Sequence, residues 1–229
     1  MPRQLALDLT GAPAQGRADF IVSDSNRAAL AALDGWRRWP KGRLVLTGPA
    51  GAGKTHLARL WTGETGAAQR PAVALRGAAP DRLLAGVPGL AVEDAPALLG
   101  DPAGERALLH LLNLAVAEGA AILLTGREAP ARWPARLPDL ASRLASAQLA
   151  RIALPDDALL AQLLVKLFAD RQIRVGPALI TYLVARIERS FAAAADAVAA
   201  LDAAALSRGR PVTRALAREV LDIGAGGAS

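Results

Sequence analysis

Nineteen residues, Arg43 to Trp61, limit the folds open to this chain more than any other stretch. They read RLVLTGPAGAGKTHLARLW. Leu44 to Leu46 is a short continuous apolar run, the pattern of a strand buried on both faces of a parallel sheet. Gly48, Gly51, Gly53, Lys54 and Thr55 then fit the spacing G-x-x-x-x-G-K-[ST] of a phosphate-binding loop. Glycines let successive backbone N–H groups turn toward phosphate, and a helix starting near Lys54 aims its positive end at the same place. Lys54 can reach the β- and γ-phosphates, and the Thr55 hydroxyl can hold Mg²⁺. The competing reading is a glycine-rich turn with a chance Gly-Lys-Thr; the strand before it and the helical spacing after it argue against that. The stretch therefore predicts a purine-nucleotide site.

Other chemistries are narrowed by what the chain contains. It has no cysteine, which excludes disulfides, cysteine-ligated zinc and a cysteine nucleophile. His56 and His110 are the only histidines, too few for a histidine metal cage. The net charge is +6, yet lysine occurs only at 41, 54 and 166, so the basic excess is arginine in an alanine-rich chain. No run of five basic residues and no basic stripe interleaved with aromatics occurs, so specific DNA binding gains little support. Neither a signal peptide nor an apolar run of 18 residues is present, which predicts a cytoplasmic protein without membrane attachment.

Along the chain, Gln4 to Leu9 alternates, with Leu5, Leu7 and Leu9 on one face of an extended segment. A Gly/Pro/Ala-rich linker follows, Thr10 to Ala18. The hexapeptide is either an edge strand or tail, or a linear peptide whose leucines dock in a partner's groove with Gln4 as polar anchor. Beyond the P-loop, apolar runs predict strands at Ala72–Leu75, Leu90–Val92, Ala121–Leu124 and Ala150–Leu154. The strand Leu90–Val92 ends in Glu93-Asp94; in P-loop proteins an acid there holds Mg²⁺ or polarises water. An amphipathic helix is expected over Glu105–Glu118, stopped by Gly119, with His110 and Asn113 on one face. Leu137–Leu144 reads as a turn and helix carrying Arg143. After Pro155 only helices are expected: Asp157–Arg171, Pro177–Arg186, Ser190–Leu206 and Thr213–Leu221.

Taken in order, these segments resemble the AAA+ ATPases, in the branch of the bacterial replication initiator DnaA. The likeness lies in FIVSDSNRAALAAL, GPAGAGKTHL, HLLN followed by LLTG, LPDLASRL and Glu188-Arg189-Ser190-Phe191. It implies an α/β fold: the AAA+ P-loop three-layer sandwich with a five-stranded parallel sheet, then a small all-α lid domain. The implied division is 1–18 peptide and linker, 19–155 nucleotide-binding base, 156–223 lid, and 224–229 a disordered tail. ADP or ATP with Mg²⁺ is the implied cofactor. Phe20, Val22 and Asn26 would belong to the adenine-side segment, and Gly48, Gly51, Ala52, Gly53, Lys54, Thr55 and His56 to the P-loop. Arg189 falls at the lid arginine, Thr55 and Asp94 at the metal, and Glu93 and Asp94 at the hydrolytic acids. Arg143 stands at the arginine-finger position.

Within that branch the chain looks most like the Hda-type regulators that inactivate the initiator. Three features carry this: the chain ends after the lid, residues 76–89 are brief, and QLALDL resembles a peptide that binds the replicative sliding clamp, the β subunit of DNA polymerase III. The resemblance implies clamp docking through Gln4, Leu5, Leu7 and Leu9, and Arg143 acting in trans on ATP bound to DnaA; whether the free chain forms a homodimer stays open. Two departures stand out. Glu93-Asp94 replaces a pair of aspartates, and Leu144-Ala145-Ser146-Ala147 replaces an aromatic and Trp-Gly after the finger. Weak or absent intrinsic ATPase is expected. The rival readings are a self-contained AAA+ ATPase of the helicase-loader or transposition-helper type, and a clamp-binding adaptor whose nucleotide is structural.

Overall fold

Side chains alternate between two covered faces along the short central strands, which dictates three layers. β1 (Arg43–Thr47), β2 (Ala68–Pro71), β3 (Gly89–Glu93), β4 (Ala121–Gly126) and β5 (Gln148–Arg151) form one parallel sheet in the order β2-β3-β4-β1-β5. Val45, Leu90, Val92, Ile122 and Leu124 point to one face. Leu44, Leu46, Ala91, Ala121 and Leu123 point to the other. Both faces are covered, which is why β1 and β4 read as continuous apolar runs. The structure is a computed structural model that describes Arg17 and residues 20–225. Gln4 to Leu9, most of the expected linker and residues 226–229 lie outside the described residues.

The first face packs under α3 (Pro80–Leu84), α4 (Pro102–Glu118) and α5 (Pro138–Ala145), through Leu84, Leu108, Leu111, Leu112, Leu140 and Leu144. The second packs under α1 (Arg27–Asp34) and α2 (Lys54–Thr65), through Leu30, Leu33, Leu57 and Trp61. α4 begins three residues before the expected Glu105, because Asp101 accepts from the amides of Ala103 and Gly104 and Pro102 suits the first turn. It stops at Gly119, whose left-handed conformation caps it as expected.

Two strand placements differ from the sequence expectation. The second strand is Ala68–Pro71, not Ala72–Leu75. The latter is a 3-10 turn that places Ala72 and Leu75 on one side, both buried in the core. The true strand, Ala-Gln-Arg-Pro, lies at the sheet edge, where polar residues and a donor-less proline are tolerated. The fifth strand is also an edge, and it lies two residues earlier than expected, at Gln148–Arg151. The chain continues past it by donating Ile152 N–H to Thr47 O and Ala153 N–H to Ser25 O.

The C-terminal helices α6 (Asp157–Asp170), α7 (Pro177–Val184), α8 (Phe191–Arg208) and α9 (Arg214–Ala225) enclose their own core around Leu160, Leu164, Phe168, Leu183, Val198 and Leu201. Asp156 caps α6 by accepting from Leu159 N–H, Ser190 caps α8 from Ala193 N–H, and Thr213 accepts from Leu216 N–H. α9 runs to Ala225, two residues into the segment expected to be a tail. Among the described residues, no helix is long and apolar enough to cross a membrane.

Candidate nucleotide site

β1 delivers the chain into the P-loop at its carboxyl end, and α2 leaves it. Gly51 has φ +75, and a Cβ there would stand 2.4 Å from Ser190 Cβ. Glycine at 51 is thus required twice, by the backbone angle and by the close approach of the lid. Phe191 N–H donates to Gly51 O at 3.2 Å, so the start of α8 is seated on the loop. The Lys54 ammonium donates to the carbonyls of Gly48 and Pro49, both at 2.7 Å. Burial lowers its pKa, as does the nearby Arg127 guanidinium, while Asp94 opposes both. A cation held beside amides that turn inward is an arrangement that takes phosphate.

A cavity of about 520 Å³ opens between the loop and the lid, within the range of small-molecule sites. Of the residues the sequence assigns to a nucleotide site, Phe20, Gly51, Gly53, Lys54, Thr55 and His56 line it. The Phe20 and His56 rings stack at 5.4 Å, and His56 and Phe191 stack at 6.2 Å. Three rings from the N-terminal segment, α2 and α8 therefore form one apolar wall. Burial, and secondarily Arg59, lowers the His56 pKa, keeping the imidazole neutral inside that stack.

Other expected residues sit elsewhere. Val22 is 46% exposed and does not line the cavity. Asn26 is buried, accepting from Ser23 N–H and donating to Ile21 O, both at 2.9 Å; it shapes the segment that brings Ile21 to the cavity. Ala52 is buried in the core under α1 and α2. Gly48 lies at the loop's start, under Ile152. Arg189 is exposed and paired with Asp157 at 2.8 Å within the lid, and it does not line the cavity.

The acids at the end of β3 divide. The Glu93 carboxylate accepts from the Thr55 hydroxyl and from the Gln69 amide of β2. Asp94 sits in the left-handed region at φ 55, its N–H donating to Thr125 Oγ1 at 3.0 Å. The structure thus brings Glu93, rather than Asp94, against Thr55. A hydroxyl and a carboxylate are hard oxygen donors of the kind Mg²⁺ takes, with phosphate oxygens and water completing the shell. No group of three His, Cys, Asp or Glu positioned to hold a metal exists among the described residues, so the protein alone is not a cage.

Arg143, in the last turn of α5, is half-buried and away from this cavity. Its Nε donates to Asn113 Oδ1 of α4 at 2.7 Å, and its carbonyl accepts from Arg43 at 3.3 Å. α5 is held at its start by Glu105, whose buried carboxylate accepts from the amides of Arg136 and Leu137, and also from Gly100. Burial raises the pKa of Glu105, and the three amides outweigh that, leaving it below the usual carboxylate value.

Sequence reading missed the lid's contribution to the cavity: Lys166 and Asp170 of α6, and Phe191 of α8. Lys166 and Asp170 are paired at 3.1 Å, and their i, i+4 spacing inside an apolar helix was the available signal. Gln69 had none, being one polar residue in an unrecognised edge strand.

This five-stranded parallel sheet with a helical lid is the AAA+ fold. Comparison by sequence finds neither a matching family model nor a matching curated protein. Among solved structures, the chain superposes on domain III of the replication initiation protein DnaA from Thermotoga maritima. The TM-score is 0.80 at 17% identity, over 92% of this chain and 96% of that one. It also matches AMPPCP-bound DnaA from Aquifex aeolicus, with TM-score 0.69 and 18% identity over 83% of this chain and 65% of that one. The Thermotoga maritima RuvB Holliday junction branch migration motor gives 0.71 and 15% over 91% and 72%.

Proposed function

We propose that this chain is a nucleotide-dependent regulator of replication initiation, which binds ADP or ATP with Mg²⁺ and stimulates hydrolysis of ATP held by a DnaA-type initiator. The observation that carries the reading is the separation of two cationic centres. Lys54 lies in a cavity closed by the lid, while Arg143 lies outside that cavity and is held from behind by Asn113. Arg143 is therefore available to a phosphate bound by another subunit, where it would neutralise charge developing in the transition state. The comparison structures support the nucleotide: one DnaA neighbour is bound to AMPPCP. Gln4, Leu5, Leu7 and Leu9 would dock on the replicative sliding clamp, and the following linker would raise the local concentration of the AAA+ unit near the initiator.

Glu93 favours weak intrinsic turnover. With one oxygen toward Thr55 and the other toward Gln69, its carboxylate is engaged in positioning rather than left to activate water. In this reading the bound nucleotide sets the posture of base and lid.

The test is turnover of initiator-bound ATP, with and without DNA-loaded clamp, on adding this protein preloaded with ADP or ATP. Stimulation that needs the clamp is expected, and Arg143→Ala should lose about 10³–10⁵ of it while still binding ADP. A double variant Gln4→Ala, Leu9→Ala should lose only the clamp-dependent part. Unchanged stimulation by Arg143→Ala would favour the clamp adaptor. Robust turnover by the chain alone on single-stranded DNA would favour the self-contained ATPase.

A further inference from the structure

On the far side of Gly48 and Pro49 from the nucleotide cavity lies a second cleft, of about 380 Å³. It sits at the carboxyl ends of β4, β1 and β5, the end of an open α/β sheet at which ligands collect. Arg127, Arg132 and Arg151 line it, and Glu128 is the only acid among its lining residues. Glu128 pairs with Arg132 at 3.4 Å. Arg127 and Arg151 have no hydrogen-bond or ion-pair acceptor for their guanidinium groups among the described residues. Two guanidiniums without a partner therefore line one concavity beside a lysine, an arrangement whose positive field attracts an anion.

The walls are rigid, which separates this cleft from a chance gathering of surface arginines. Trp133 is buried with its ring over Gly126, and its indole N–H donates to Glu128 O at 2.8 Å. Turns from Arg132 N–H to Ala129 O and from Trp133 N–H to Pro130 O fix the segment between. On the opposite wall Arg151 is paired in β5 with Thr47. Gly48 runs so close under Ile152 that a Cβ would stand 2.3 Å from its carbonyl oxygen. Backbone carbonyls of Gly48 and Pro49 are already taken by Lys54 from the other side, so that ammonium adds to the positive field.

We propose that this cleft is an oxyanion site, separate from the nucleotide cavity, in which the Arg127 and Arg151 guanidiniums bind a phosphate group. Forked guanidinium donors match the paired oxygens of phosphate, and Arg132 supplies a third, partly offset charge. The free ion and a phosphodiester share that chemistry, and separate titrations with each distinguish them.

The experiment uses the full chain with Mg²⁺ and saturating ADP, so that the P-loop is filled. Inorganic phosphate is titrated in while arginine Nε–H signals are followed by NMR at constant ionic strength. Saturable shifts at Arg127 and Arg151 are expected, absent with chloride. Arg127→Gln and Arg151→Gln should each weaken phosphate binding about tenfold, the loss for one charge-assisted contact, with ADP affinity unchanged in Arg151→Gln. ADP affinity is read in the same samples, so failure of the nucleotide reading shows separately. Shifts that do not saturate, or that chloride reproduces, would overturn the site. A response to a short single-stranded oligonucleotide but not to phosphate would also overturn it, in favour of a nucleic-acid groove.

Discussion

Two seams hold this molecule's working parts, and they are built from opposite materials. α5, which carries Arg143, is fastened to α4 by a buried carboxylate: Glu105 takes the amides of Gly100, Arg136 and Leu137. The lid is fastened to the P-loop by ring stacking, a close approach of Ser190 to Gly51, and one backbone hydrogen bond at 3.2 Å. A polar seam with three amides converging on one carboxylate has a single good geometry, and each unmade bond is costly. An apolar seam can slide at little cost per contact. The difference suits the proposed function, in which Arg143 keeps its position while the lid answers to nucleotide.

The polar seam should break hardest. Glu105→Ala leaves three amides without an acceptor, and at about 1–3 kcal/mol for each unsatisfied group the loss should exceed about 3 kcal/mol in denaturant unfolding. The wild-type seam also has a pH signature. The Glu105 pKa is lower folded than unfolded, so its contribution is complete above the ordinary carboxylate value and is lost as pH falls through the folded value. Glu105→Gln should remove that acid-side slope. A cost below about 1 kcal/mol for Glu105→Ala would mean that the two seams are alike after all.

The apolar seam should give less in stability and more in binding. Phe191→Ala removes one ring of the Phe20–His56–Phe191 stack. Aromatic pairs contribute about 0.5–1.5 kcal/mol beyond area burial, so ADP affinity should fall up to about tenfold, while the midpoint of base-domain unfolding stays in place. Calorimetric titration reads the first and limited proteolysis the second. If affinity were unchanged, the ring stack would be packing only, and the cavity wall would have to be sought on α6.

How much of this was legible beforehand follows the same division. The P-loop strand, loop and helix were readable because glycine spacing, Lys54 and Thr55 act locally. β2 and β5 were misplaced because edge strands are paired on one side and need no apolar run; Ala-Gln-Arg-Pro carries no strand signal. Asn113 and Arg143 were both singled out, yet nothing local joins residues 30 apart in sequence. The lid's wall, Lys166 and Phe191, depends on how two cores meet; the i, i+4 spacing of Lys166 and Asp170 marks a pair, not the cavity it lines.

Arg189 gives the smallest effect and the sharpest division between the seams. Its position beside Ser190 and Phe191 suggests a cation reaching across to phosphate, whereas the structure pairs it with Asp157 inside the lid. Both partners are more than half exposed, so the pair is screened and contributes at most about 1 kcal/mol. Arg189→Ala should therefore shift the unfolding midpoint of the lid by little. Nucleotide affinity decides its role. A fall of no more than about threefold, the range of an exposed ion pair, keeps Arg189 in the lid's own surface and leaves rings and backbone to carry the seam. A fall beyond tenfold would mean that Arg189 leaves Asp157 when nucleotide binds, and that the lid closes by exchanging an ion pair within itself for one across the cavity. Asp157→Asn separates the two, because freeing Arg189 should raise affinity only in the second case.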